Sequence, residues 1–210
     1  MKKILVIFGT RPEAIKMAPI IKALKSEASF ETKICVSAQH REMLDSVLSI
    51  FEITPDYDLS IMKPEQSLSY ITNAVMQGLD AIKSNFAPDM IIVHGDTSTA
   101  FAGALFAFYN GISLAHIEAG LRSGDIRSPF PEEFNRQAVG LVAGYHFSPT
   151  ETAKQNLLAE GKNPDHIYVT GNTAIDALKT TVRDSYTHPE LQWAADSRLI
   201  VITAHRRENL

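Results

Sequence analysis

Short apolar runs alternate with stretches of helical periodicity along almost the whole chain. Ile4–Phe8 is apolar throughout, which is typical of a strand buried on both faces of a parallel sheet. In Ser67–Lys83 the apolar residues recur three and four positions apart behind a candidate N-cap at Ser67, and this spacing predicts an amphipathic helix. Further strands are predicted at 33–37, 90–93, 112–117, 145–147 and 166–169, and further helices after Pro12 and at 41–51, 97–109, 131–142, 151–160 and 174–183. The repeated strand–helix–strand units predict the α/β class, with a Rossmann-like parallel sheet and helices on both of its faces.

The pattern changes near the C-terminal end. Residues 184–198 are polar and contain Pro189, which predicts a linker. Leu199–Thr203 is apolar again and predicts the first strand of another sheet. A parallel strand without a neighbour leaves its backbone groups unpaired. We therefore expect residues 1–183 to form one domain and residues 199–210 to begin a second, truncated one.

Composition narrows the class of protein. The chain has 210 residues, 45% of them hydrophobic, which is enough for one sizeable core. Its 24 acidic and 20 basic residues give a net charge of −4, opposite in sign to most nucleic-acid-binding domains. Cys35 is the only cysteine, which excludes a disulfide scaffold, and no apolar run approaches the roughly 20 residues of a membrane span. We expect a cytoplasmic protein with neither a nucleic-acid nor a membrane partner.

Two cations follow the first predicted strand, at the edge where doubly wound sheets bind ligands. Arg11 and Lys16 lie near a helix N-terminus, which favours an anion. The loop has neither G-x-G-x-x-G nor G-x-x-x-x-G-K-[ST], which weighs against an ordinary dinucleotide or P-loop site. The alternative is that both side chains are solvated surface cations.

Two carboxylates follow neighbouring predicted strands. Asp96 and Glu118 are expected to point into one crevice, and paired carboxylates suit general acid–base catalysis. Asp96 is at least as well explained as a cap for the helix beginning at Thr97. The same caution applies to Glu132, which lies in the first turn of a predicted helix and suits its dipole.

A metal site has to be weighed because His94, Asp96, His116 and Glu118 are all metal-binding residue types. The Asp-x-His and Gly-His-x-His elements of a metallophosphatase are absent from the sequence, as is H-E-x-x-H. G-x-S-x-G is absent too, and Cys35 lies inside a predicted strand, so acyl transfer has no candidate nucleophile. We expect neither a metal site nor acyl-transfer chemistry.

Taken together, these segments resemble the non-hydrolysing UDP-N-acetylglucosamine 2-epimerase family. Eight such motifs in the right order along the chain are far more specific than any one of them. The matching stretches are FGTRPEAIKMAP (Phe8–Pro19), AQHREMLD (Ala38–Asp45), VHGDTSTA (Val93–Ala100), HIEAGLRSGD (His116–Asp125), SPFPEEFNRQ (Ser128–Gln137), FSPTE (Phe147–Glu151), VTGNTAIDAL (Val169–Leu178) and TAHRRENL (Thr203–Leu210).

The resemblance implies the N-terminal half of a GT-B-type enzyme, with the active site between two Rossmann-like domains. It implies reversible epimerisation at C2 of UDP-GlcNAc to UDP-ManNAc through a 2-acetamidoglucal, for bacterial surface polysaccharides. It further implies a homodimer and no cofactor. By the same resemblance the catalytic residues are Asp96, Glu118, Glu132 and His205, and the substrate-binding residues are Arg11 and Lys16.

The resemblance also implies a second, activating UDP-GlcNAc pocket. Gln39, Glu132 and Arg206 match its residues in some members of the family. Glu42 and Glu65 stand where certain relatives carry Gln and Arg, which predicts an altered or weaker allosteric site.

Three alternatives remain open from the sequence. The hydrolysing type of the same family shares most of these motifs but releases free ManNAc and UDP. A nucleotide-sugar glycosyltransferase with the GT-B architecture would need an acceptor. A lone domain that only binds weakly or dimerises would have no activity at all.

Overall fold

A parallel sheet forms the centre of the computed structural model, which describes residues 1–38, 41–194 and 196–202. The strands in these ranges are β1 (Lys2–Phe8), β2 (Phe30–Val36), β3 (Tyr57–Asp58), β4 (Met90–His94), β5 (Ser113–Ile117), β6 (Tyr145–Ser148) and β7 (Ile167–Val169). Their order across the sheet is β3-β2-β1-β4-β5-β6-β7, and every neighbouring pair is parallel.

Helices cover both faces of this sheet. They are α1 (Arg11–Ser26), α2 (Arg41–Ile50), α3 (Leu68–Asn85), α4 (Ser98–Tyr109), α5 (Glu132–Val142), α6 (Glu151–Ala159), α7 (Thr173–Thr181) and α8 (Pro189–Trp193). The helices α1, α2 and α7 share one apolar core, and α3, α4 and α5 share the core on the opposite face. The predicted Rossmann-like α/β fold is therefore confirmed. None of the helices in the described ranges has the length and apolar character that a membrane span requires.

The strand β1 shows why a continuous apolar run marks a central strand. Ile4, Val6 and Phe8 enter the core beneath α1 and α2, whereas Leu5 and Ile7 enter the core on the other face. All five side chains are at most 4% exposed. Successive strand residues point to opposite faces, so a strand covered on both sides needs an apolar residue at every position.

The chain reverses its direction of travel across the sheet between β1 and β4. From β1 it proceeds to β2 and β3 on one side, and from β4 it proceeds to β5, β6 and β7 on the other. Such a topological switch point leaves a crevice beyond the carboxyl ends of the two central strands. The loops after β1, β4 and β5 all open at this edge.

For the predicted elements that the structure contains, the boundaries agree to within a few residues. The two-residue strand β3 and a 3-10 turn at Pro164–His166 were not predicted. The predicted strand at Leu199–Thr203 is wrong over its described part, since Leu199–Ile202 has no strand hydrogen bonding and is 48–86% exposed. Among the described residues no strand pairs with the backbone of this segment. The predicted linker contains α8.

Candidate active site

Glu118 directly follows β5 and lies at the switch-point edge. Its backbone has a φ of +64°, in the left-handed region that residues other than glycine rarely adopt. The side-chain Oε2 accepts a hydrogen bond of 2.5 Å from Nζ of Lys16 on α1. Nε2 of His94, the last residue of β4, lies 2.8 Å from the same oxygen. Three neighbouring elements therefore converge on one carboxylate oxygen.

These contacts set the charge of Glu118. Burial alone raises the pKa of this carboxyl group, because it penalises the charged form. The contacts and charges of His94 and Lys16 outweigh burial and lower the pKa of Glu118 to about 2. Glu118 is therefore a carboxylate throughout the physiological pH range.

Asp96 lies in the loop between β4 and α4 and is held by α5. Its carboxylate oxygen Oδ2 accepts a 2.6 Å hydrogen bond from Nη2 of Arg136. Its backbone oxygen accepts a 2.8 Å hydrogen bond from Nδ2 of Asn135. Arg136 is shared, because its Nη1 lies 3.4 Å from Oε2 of the fully buried Glu133. Two consecutive residues of α5 thus fix both the backbone and the side chain of Asp96.

The pKa of Asp96 is raised, in the opposite direction to that of Glu118. Burial is the main cause, and the like charges of Glu118 and Glu132 act in the same direction. The guanidinium of Arg136 opposes both effects without overcoming them. The same edge of the sheet thus holds two carboxyl groups with separated proton affinities, an arrangement that serves acid–base chemistry.

The interpretation of Asp96 as a helix cap is wrong. The helix α4 begins at Ser98, and its N-cap is Thr97, whose hydroxyl accepts a hydrogen bond from the backbone N–H of Ala100. The Asp96 side chain contacts Arg136 instead. Its carboxylate is therefore free of the capping role.

Glu13 connects the loop after β1 to the loop after β4. It is not among the site residues predicted from the sequence. This buried carboxylate accepts hydrogen bonds from the backbone N–H groups of Gly9 and Thr10 at 3.0 and 2.8 Å. Its other oxygen accepts a 2.8 Å hydrogen bond from the hydroxyl of Thr97. Thr10-x-x-Glu13 has capping-box spacing, which is the local signal for the first half of this arrangement. The contact with Thr97 has no local signal.

The remaining predicted site residues divide into three groups. Glu132 begins α5 close enough to Asp96 to affect its pKa, and Lys16 contacts Glu118. Arg11, the first residue of α1, is exposed and has no carboxylate at ion-pair distance among the described residues. Gln39, His205 and Arg206 lie outside the described residues.

The histidines considered as metal ligands have other contacts. Nε2 of the buried His116 lies 2.8 Å from the backbone oxygen of Gly95. Burial lowers the pKa of His116 to about 3, so this imidazole is neutral. Within residues 1–38, 41–194 and 196–202, no three His, Cys, Asp or Glu side chains are arranged to hold a metal ion.

The family model described as UDP-N-acetylglucosamine 2-epimerase matches residues 22–210 of this chain. The UDP-N-acetylglucosamine 2-epimerase of Bacillus subtilis (strain 168) is 55% identical over 208 residues, which make up 99% of this chain and 55% of that protein. The chain belongs to the UDP-N-acetylglucosamine 2-epimerase family. The resemblance seen in the sequence motifs is thereby confirmed.

Solved structures that match this chain share the fold described above. The S. aureus MnaA–UDP structure is 56% identical, with a TM-score of 0.92 over all of this chain and 56% of that chain. The UDP-GlcNAc 2-epimerase of Neisseria meningitidis bound to UDP-GlcNAc is 54% identical, with a TM-score of 0.80 over 84% of this chain and 48% of that chain. This chain therefore spans about half the length of the epimerases it matches.

Proposed function

We propose that this chain is the N-terminal half of a non-hydrolysing epimerase that interconverts UDP-GlcNAc and UDP-ManNAc for bacterial surface polysaccharides. Residues 1–183 form its first domain, 184–198 its linker, and 199–210 the beginning of the nucleotide-binding domain, as in a GT-B enzyme. The observation that carries the proposal is the pair Asp96 and Glu118, whose pKa values are shifted in opposite directions at one edge of the sheet. Support also comes from the relatives, which continue well past the length of this chain.

Elimination explains why this reaction needs carboxylates and cations. The C2 proton of the sugar has no adjacent carbonyl group and is too weakly acidic for simple enolisation. A base takes this proton, the C2–H electron pair forms a C1=C2 double bond, and the C1–O bond breaks to release UDP. Protonation of the 2-acetamidoglucal at C2 from the opposite face, with return of UDP to C1, gives the epimer. The atoms balance without an oxidant or a cofactor.

The two carboxyl groups fit complementary roles in these steps. Glu118 is ionised and is suited to remove a proton, whereas the raised pKa of Asp96 suits it to supply one. We propose these roles for the direction from UDP-GlcNAc to UDP-ManNAc, with exchanged roles in reverse. Glu132 adjusts the proton affinity of Asp96, and His205 completes the catalytic group.

The cations of α1 are proposed to receive the diphosphate. Arg11 is the first residue of this helix, where the helix dipole also favours an anion, and Lys16 lies in the second turn. Neutralising the developing charge on UDP assists cleavage of the C1–O bond.

We also propose that the enzyme is a homodimer formed through this domain. A groove of about 650 Å³ runs between α3, α4 and α5 and is lined mainly by apolar side chains, including Phe101, Phe130 and Phe134. Phe108 and Tyr109 at the end of α4 are two-thirds exposed. Sedimentation of the 210-residue chain at micromolar concentration should show a dimer, and a 23.2 kDa monomer alone would contradict this proposal.

Activation by a second UDP-GlcNAc molecule is proposed to involve Gln39, Glu132 and Arg206. Glu42 and Glu65 should make this activation weaker than in relatives that carry Gln and Arg there. Initial rates that rise more steeply than hyperbolically with UDP-GlcNAc concentration would support activation, and a simple hyperbola would contradict it.

Product analysis tests the main proposal. The full-length protein containing this chain, given UDP-GlcNAc alone in D₂O, should form UDP-ManNAc with deuterium at C2 and retain its activity in EDTA. Free ManNAc with UDP would identify a hydrolysing enzyme, and turnover only with an added acceptor would identify a glycosyltransferase. Residues 1–210 alone should be inactive, since most nucleotide contacts are expected from the second domain.

A further inference from the structure

Glu118 is held in a state that works against its proposed role as a base. Its Oε2 is 2.5 Å from the ammonium of Lys16 and 2.8 Å from Nε2 of His94. A base must accept a proton, and each of these contacts favours the carboxylate over the protonated acid. In this arrangement Glu118 is well positioned but weakly basic.

Lys16 is also needed elsewhere if the proposed function holds. It is one of two α1 cations proposed to bind the diphosphate, and its side chain is 23% exposed at the mouth of the crevice. An ammonium group bonded to Glu118 at 2.5 Å cannot at the same time neutralise a diphosphate at full strength.

The three groups around Glu118 differ in their freedom to move. His94 is the last residue of β4 and is only 4% exposed, so its position is fixed by the sheet. Asp96, which also interacts electrostatically with Glu118, is fixed by Arg136 and Asn135. Lys16 has a flexible four-carbon side chain and reaches the site from the helix on one side of the crevice.

We propose that Lys16 exchanges partners during the reaction, leaving Glu118 for the diphosphate of the bound substrate and thereby making Glu118 more basic when substrate is present. The inference rests on the proposed epimerase function and assigns to Lys16 a second role beyond substrate binding. His94 keeps the freed carboxylate oriented. On departure of UDP the ammonium returns to Glu118.

The exchange predicts a difference between two pH profiles of the full-length enzyme. The acid limb of kcat/KM reports the free enzyme, whereas the acid limb of kcat reports the enzyme–substrate complex. If Lys16 leaves Glu118 on binding, the acid limb of kcat should lie about 1–3 pH units above that of kcat/KM, the range for losing an adjacent opposite charge. Coinciding limbs would overturn the inference.

Variants separate the two roles of the lysine. In Lys16→Gln the acid limb of kcat/KM should rise towards that of kcat, so that the two limbs converge. Arg11→Gln is the matched control, because Arg11 lies on the same helix without contacting a carboxylate among the described residues. It should raise KM and leave the separation of the limbs intact.

Failure of the Lys16 exchange and failure of the proposed epimerase function would give different results. A raised KM in Lys16→Gln with the wild-type separation of limbs would show a lysine that only binds substrate, and would overturn the exchange. Absence of UDP-ManNAc formation by the wild-type enzyme at every pH would overturn the proposed function, and the inference with it.

Discussion

Glu118 and Asp96 stand at the same edge of the sheet, each bonded to one cation, yet their pKa values move in opposite directions. Lys16 lies 2.5 Å from Glu118, and Arg136 lies 2.6 Å from Asp96. Glu118 has the less exposed side chain, at 18% against 28% for Asp96. Burial raises the pKa of both carboxyl groups, so it does not by itself explain why the two shifts are opposite.

The two carboxylates differ in their charged neighbours. Glu118 has a second partner in His94, whereas Arg136, the only cation bonded to Asp96 among the described residues, also pairs with Glu133. Asp96 also faces the like charges of two other carboxylates. Burial therefore sets the direction of the pKa shift at Asp96, whereas at Glu118 the neighbouring groups overcome it.

Removal of either charge should have its largest effect on catalysis. In the full-length enzyme, Glu118→Gln and Asp96→Asn should each lower kcat by about 10²–10⁴-fold, the usual contribution of a positioned acid or base. Both changes keep the shape of the side chain, so KM should change little. The measurement is the initial rate of UDP-ManNAc formation.

An exposed carboxylate provides the control for these variants. Asp176 on α7 pairs with Lys179 at 3.5 Å, and both side chains are at least half exposed. Asp176→Asn should keep wild-type kcat. Near-normal turnover in Asp96→Asn would remove Asp96 from the mechanism. The opposite pKa shifts of Asp96 and Glu118 would then not serve catalysis.

Arg136→Gln removes the cation that contacts both Asp96 and Glu133, and it should lower stability. Glu133 is fully buried and would lose its ion-pair partner, although the N–H of Ser123 and the amide of Gln137 still donate to it. Removing one member of a buried ion pair typically costs about 3–5 kcal/mol. Urea unfolding should show a loss of this order.

The exposed pair on α7 again gives the matched comparison. Lys179→Gln should change the free energy of unfolding by no more than about 1 kcal/mol, as for most surface ion pairs. Equal effects of Arg136→Gln and Lys179→Gln would show that Arg136 is not structurally required.

The two carboxylates should also affect stability with opposite signs. Glu118 has a lowered pKa, so its charge stabilises the folded state above pH 4.5 and this contribution is lost as the pH falls towards about 2. Glu118→Gln should therefore lower the free energy of unfolding at pH 7, by about 1–3 kcal/mol for lost hydrogen bonds to a charged group. The free energy of unfolding of the Glu118→Gln variant should also depend less on pH below 4.5 than that of the wild type.

Asp96→Asn should behave in the opposite way. The pKa of Asp96 is raised, so its charged form is disfavoured by folding at neutral pH. Asn removes that charge and can still accept the hydrogen bond from Arg136. The free energy of unfolding at pH 7 should stay the same or increase, and a clear decrease would show that the charge of Asp96 stabilises the fold.

Local signals in the sequence were sufficient for most of the fold. The continuous apolar run of β1 follows from burial on both faces, and Ser67 is the N-cap of α3, where its hydroxyl accepts a hydrogen bond from Tyr70. The strand β3 has only two residues, too few to show any periodicity. The apolar segment at Leu199–Thr203 has strand character, but a strand also needs a partner, which periodicity does not report.

The site was predictable only in part, for a related reason. Asp96 and Glu118 were placed together because neighbouring parallel strands end at the same edge of a sheet. The partners that set their proton affinities come from distant segments: Arg136 is 40 residues from Asp96, and Lys16 is 102 residues from Glu118. Such contacts depend on how the helices pack, which no local spacing encodes.

The smallest expected loss of stability is that of a Thr97 variant, and it tests whether Thr97 caps α4 without help from Asp96. The hydroxyl of Thr97 caps α4 by accepting a hydrogen bond from the N–H of Ala100, and it donates a hydrogen bond to Glu13. Thr97→Ala should lower the free energy of unfolding by about 1 kcal/mol, a typical loss for an N-cap. Thr97→Ser keeps the hydroxyl and should lie close to wild type in the same urea titration. If Asp96→Asn destabilised the chain as much as Thr97→Ala, the cap would be shared between the two residues, and the Asp96 carboxylate would no longer be free for the proton transfer that distinguishes it from Glu118.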